Sequence, residues 1–203
     1  MEINIPDLDL FGSNKKTLNK FIKIKHNITE KMVWYQKAYD LVDEIKINKG
    51  ETVYCMLTGD FVFGDFIGAF IQNNNLEVKE LTIISLSGSK DIYNMFDELM
   101  IQGWVAKINL LLSSYYLNTE KIKHTGTIRQ LEELSDKHKA NFNVYYSRVH
   151  QKIILIETKQ GGKVVMHGSA NLKSCQALEQ LMIQENKELY DFNYKYFQEL
   201  INK

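Results

Sequence analysis

His150 and Lys152 are separated by a single residue, so on an extended strand an imidazole and an ammonium would emerge from the same face. Downstream lies Gly168-Ser169-Ala170-Asn171, a run of two small residues and two hydrogen-bonding side chains. These residue types suit an esterified phosphate. Lysine supplies a point positive charge, serine and asparagine supply donors, and glycine lets the backbone approach a bulky anion closely. A histidine beside them can attack phosphorus if an acceptor holds its other ring nitrogen, fixing the tautomer and stabilising the developing positive charge. Glu179 is the candidate acceptor, expected on a helix that begins after Asn171.

Bringing these groups together requires a hairpin. Strands are expected over 142–146, 150–157 and 163–167, joined after Thr158 by a short turn with paired glycines at Gly161 and Gly162. A hairpin centred near Gln160 places Gly168 to Ala170 opposite Lys152 and His150, to within a residue of register. Glu157 then falls on the opposite parity and reads as a structural ion-pair partner.

The rest of the chain reads as alternating strands and helices. An amphipathic helix is expected over 32–47, a strand over 52–57, a helix over 66–71, a strand over 78–86, a helix over 92–102, a strand over 105–112 and a helix around 127–140. Residues 176–203 place Leu178, Met182, Leu189, Phe192, Tyr196, Phe197 and Leu200 along a helical stripe, read as core or as a contact between subunits. This alternation points to an α/β sheet. Residues 1–30 read as a polar lead segment, and 31–203 as one catalytic domain. Ligands of such sheets gather at the carboxyl ends of the strands, so Ser113 to Tyr116 is a further stretch that lines the cleft on this reading.

Lys plus Arg and Asp plus Glu both number 25, so no global positive field marks the chain as a non-specific coat for nucleic acid, and such contact must come from a local patch. The basic stretch Lys15 to Lys25 reads as a solvated face. With 44% hydrophobic residues the chain can bury a core, yet it contains no apolar run of bilayer length. The start of the chain does not resemble a secretory signal, and Cys55 and Cys175 have no ligand-like spacing, so a reducing cytoplasm is the expected location. His26, His124 and His138 are scattered, and Asp60 and Asp65 read as helix caps. No metal or cofactor site is expected. His167 reads as a strand histidine satisfied by hydrogen bonds.

His150-x-Lys152-x-x-x-x-Glu157 followed by Gly168-Ser169-x-Asn171 resembles the HxKxxxxD and GSxN motifs, the HKD motif set, of the phospholipase D superfamily, with glutamate in place of the usual aspartate. The stretches 58–66 and 167–180 are similar to phospholipase D-like proteins encoded by phages and prophages. The resemblance runs from about 52 to about 190, and only one motif copy is present. It implies a mixed β-sheet with helices on both faces, and a homodimer that pairs two half-sites at its interface. It also implies a metal-independent phosphodiesterase, most readily a nuclease acting on DNA or RNA. One His150 would attack to form a phosphohistidine while the partner's His150 protonates the leaving oxygen. Lys152, Ser169 and Asn171 would bind phosphate, Glu179 would orient the imidazole, and Glu157 and Gly168 would be structural. Lipid phosphodiesterase or phosphatidyltransferase activity, and a non-catalytic phage protein binding nucleic acid or a host factor, are the alternatives on the same scaffold.

Overall fold

The computed structural model describes residues 20–24, 28–32, 38–45, 47, 50–57, 61–123, 126–172, 174–175 and 179–202. Its strands are β1 (Lys20–Ile24), β2 (Ile28–Met32), β3 (Thr52–Leu57), β4 (Phe61–Val62), β5 (Val78–Ser85), β6 (Ile108–Ser113), β7 (Phe142–Ser147), β8 (Ile153–Thr158), β9 (Lys163–Gly168), β10 (Ser174–Cys175) and β11 (Glu179–Glu185). The helices are α1 (Ala38–Glu44), α2 (Phe63–Asn73), α3 (Lys90–Ile101), α4 (Ser114–Lys123), α5 (Thr127–His138) and α6 (Lys187–Ile201). Nine strands form one mixed sheet in the order β2-β1-β3-β11-β9-β8-β5-β6-β7, and β4 pairs separately with β10. The strands β5, β6 and β7 run parallel, as expected where helices cross between them, and the remaining neighbours are antiparallel.

Alternation along the strands sends side chains to both faces. Val53, Leu81, Ile83, Leu110, Ile154, Met166 and Ile183 face one layer, where they are buried with Phe66, Phe70, Ile92, Phe96 and Leu131 of α2, α3 and α5. On the other face Ile84, Leu111 and Val149 meet Phe197, and Leu155 and Val165 meet Tyr190. Each large apolar side chain buried in this way contributes about 1.5–3 kcal/mol. The second face is therefore covered by α6, whose inward residues Tyr190, Tyr194, Phe197 and Ile201 recur at helical spacing. Asn186 caps that helix, its side-chain oxygen accepting from the Leu189 N–H at 3.0 Å. The Tyr194 hydroxyl donates to the buried Glu80 carboxylate at 2.8 Å, which ties α6 to β5.

Several expectations need correction. Within residues 1–30, β1 and the start of β2 form an antiparallel hairpin added to the edge of β3. Of the helix expected over 32–47, the described residues contain α1, and Met32 belongs to β2. The helix α4 begins directly after β6, although its apolar residues are poorly segregated and only Tyr116 and Glu120 are buried one turn apart. The expected helix over 176–203 divides into β11 and α6. In β11 the buried Leu181 and Ile183 alternate with Gln180, Met182 and Gln184, and pairing with both β3 and β9 favours the strand. Among the described residues, no helix is long and apolar enough to cross a membrane.

Candidate active site

The β8–β9 hairpin has the expected register. Ile153 faces His167 and Glu157 faces Lys163, so its centre is Gln160 and Gly168 falls opposite Lys152, where the Gly168 N–H donates to the Lys152 carbonyl at 3.3 Å. His150 and Lys152 nevertheless precede the strand, which starts at Ile153 rather than at His150. The reason lies in the neighbour: β5 pairs with β8 only as far as Ile84 opposite Ile153 and ends at Ser85. Residues 148–152 thus leave β7 and cross the carboxyl ends of the central parallel strands before entering β8. Val149 pegs this crossing by packing with Ile84, Leu111 and Phe197.

Without a strand to align them, His150 and Lys152 still meet. The Lys152 ammonium donates to the His150 carbonyl at 2.9 Å and lies 3.2 Å from His150 Nδ1. An ammonium has no lone pair, so this contact uses the Nδ1 lone pair and leaves the ring proton on Nε2. Burial of the amine pushes the Lys152 pKa below the usual lysine value of 10.5, and the negative charge of Glu179 opposes that shift. Glu179 is therefore within electrostatic reach of the ammonium.

The second motif is clamped between β8 and β11. The Ser169 N–H donates to the Gln180 carbonyl at 3.0 Å, and the Gln180 N–H returns a bond to Ser169 Oγ at 3.0 Å. The Ser169 hydroxyl donates to Glu179 Oε2. Gly168 is required here by proximity, since a Cβ on it would stand 2.1 Å from the Gln180 carbonyl oxygen. The next residues alternate, with Ala170 and Leu172 buried in the core beneath and Ser169 exposed. Asn171 is half-buried, and its Oδ1 is enclosed without a hydrogen-bond partner among the described residues. Glu179 opens β11 instead of lying on a helix, and its hydrogen bond goes to Ser169.

Glu157 forms an ion pair with Lys79 at 3.0 Å, across β8 and β5. His138 is engaged by Asp97 at 2.6 Å. Asp65 sits in the first turn of α2, where burial and then the charge of Asp91 raise its carboxyl above the usual range; Asp60 lies outside the described residues. His167 differs from expectation: its Nε2 is buried with no hydrogen-bond partner among the described residues, and burial lowers its pKa. Of Ser113 to Tyr116, Ser113 and Tyr116 are buried and Tyr115 is exposed. Burial pushes the Cys55 thiol up to about 12, which leaves it unreactive. Among the described residues, no group of three or more His, Cys, Asp or Glu side chains is placed to hold a metal ion.

No family profile and no curated protein matches the chain. Among solved structures, a polyphosphate kinase from Porphyromonas gingivalis superposes with a TM-score of 0.51 at 14% identity, covering 68% of this chain and 24% of the kinase. The chain thus spans about a quarter of that protein. NucT from Helicobacter pylori matches with a TM-score of 0.43 at 16% identity, over 65% of this chain and 85% of NucT. A variant of yeast tyrosyl-DNA phosphodiesterase matches with a TM-score of 0.36 at 13% identity, over 53% of this chain and 25% of that enzyme. The likeness to the kinase is one of fold.

Proposed function

Starting from a chain with the phospholipase D-like fold, we propose that it is a metal-independent phosphodiesterase, a nuclease acting through a phosphohistidine in a homodimer. His150 of one subunit attacks phosphorus, a P–N bond forms, and the P–O bond to the leaving group breaks as the partner's His150 donates a proton to that oxygen. Water then attacks the phosphohistidine, gives its proton to the partner's His150, and displaces the first imidazole. Lys152 meets the charge on the non-bridging oxygens, with Ser169 and Asn171 as further hydrogen-bonding groups. Arrival of phosphate would draw the Lys152 ammonium off Nδ1 and free that nitrogen to exchange tautomers. In this scheme Glu179, which accepts from Ser169 and whose charge reaches Lys152, stabilises the resulting positive charge.

The observation that carries this reading is the imidazole–ammonium contact of 3.2 Å beside a Gly-Ser turn bonded to the lysine's own backbone. Replacing His150 with alanine is expected to lower hydrolysis of single-stranded DNA or RNA by roughly a thousandfold or more. Because Lys152 supplies the cation in this scheme, EDTA is expected to leave the wild-type rate unchanged. An H150A protein as active as wild type, or abolition by EDTA, overturns the reading. Turnover of phosphatidylcholine alone would replace nuclease with lipid phosphodiesterase.

A further inference from the structure

We infer that Arg148 anchors the phosphate next to the one being cleaved, so that the substrate is a polymer of phosphodiesters, a nucleic-acid strand, rather than a compound with one phosphate. This rests on the phosphodiesterase reading of His150 and names the substrate class for the same site. The chain contains only two arginines. Arg129 is paired with Glu133 at 2.8 Å on the outer face of α5. Arg148 is exposed, and among the described residues it has no ion-pair partner. It stands at the start of the crossing that carries His150 and Lys152 over the carboxyl ends of β5 and β6.

The crossing gives Arg148 its orientation. Val149 is 8% exposed and sinks between Ile84, Leu111 and Phe197, while the residues on either side of it, Arg148 and His150, are exposed. The Val149 N–H donates to the Ser147 carbonyl at 2.9 Å, which tightens the chain at that point. Two residues of chain span at most about 7 Å, comparable to the reach between adjacent phosphates of one strand. Guanidinium is also the side chain best shaped to grip a phosphate with two parallel hydrogen bonds. With 25 basic and 25 acidic residues the chain has no overall field to hold a polyanion, so a cation placed beside the nucleophile has a disproportionate effect.

The test compares wild type, R148A and R148K on oligothymidylate and on bis(p-nitrophenyl) phosphate, which has no second phosphate. The ratio of kcat/KM between the two substrates is expected to fall roughly tenfold in R148A, and by less in R148K, which keeps the charge but loses the fork. The log–log salt slope of oligothymidylate binding should become shallower by about 0.7 in R148A, the amount expected for one phosphate contact on a single strand. An equal loss on both substrates, or no loss on either, overturns the assignment. If the wild type turns over neither substrate, the hydrolytic reading fails. Fluorescence anisotropy with labelled oligothymidylate then judges Arg148 by itself: a shallower slope in R148A supports the assignment, and identical slopes overturn it.

Discussion

Lys152 is charged in a position where burial works against the charge and Glu179 works for it. If the ammonium grips phosphate, activity falls on the alkaline side as it deprotonates, at a pH below the ordinary lysine value of 10.5. Replacing Glu179 with glutamine removes the contribution that raises this pKa, so the alkaline limb of the kcat/KM profile should move to lower pH. A limb that stays in place would separate Glu179 from the ammonium. His167 gives a second pH effect, on stability. Its folded pKa is lowered from 6.5 by burial, so the unfolded chain binds a proton more readily. The stabilisation is present above pH 6.5 and is lost as pH falls through the folded value. Replacing His167 with glutamine should flatten the dependence of Tm on pH between about 7 and 5. At this scale residue type and spacing singled out His150, Lys152 and the Gly-Ser-x-Asn run, and the structure brings the Lys152 ammonium to His150 and the Gly168 N–H to the Lys152 carbonyl. It concealed that the Glu179 carboxylate accepts from Ser169 and that His167 Nε2 has no hydrogen-bond partner among the described residues, since both depend on strands distant in sequence.

The hairpin β8–β9 brings the two motifs together, and β11 locks the second of them. Gly168 is the tight point: alanine there would drive a Cβ to 2.1 Å from the Gln180 carbonyl oxygen, which is backbone and cannot swing away. The G168A protein is expected to lose about 1–3 kcal/mol of stability. It should also lose activity to a greater extent than that loss explains, because the Ser169–Gln180 bonds must shift; denaturant unfolding together with kcat on folded protein checks both. Unchanged stability would mean that β9 and β11 approach less closely. The hairpin was legible because its turn fixes its register, and 153 with 167, or 157 with 163, have the midpoint that the glycines predict. The ends of elements were not. His150 and Lys152 fall outside β8 because β5 runs out at Ser85, and 181 and 183 are strand residues because β3 and β9 both pair with them. Neither fact is visible in a local window of sequence.

As a whole molecule the chain is a mixed sheet with α6 on one face and the other helices opposite, and it presents His150 at the carboxyl ends of its parallel strands. One chain offers one such imidazole, while the proposed reaction uses two. Sedimentation should therefore find a particle of twice 23.7 kDa at the concentrations used for assay. A fully active monomer would require a different proton donor. The most direct test of the central claim is capture of the covalent intermediate, by quenching turnover of an oligonucleotide at alkaline pH and mapping the adduct by mass spectrometry. A phosphoryl-linked nucleotide is expected on the peptide containing His150, absent from H150A. Hydrolysis that proceeds at full rate in H150A, with no histidine adduct in either protein, would contradict it.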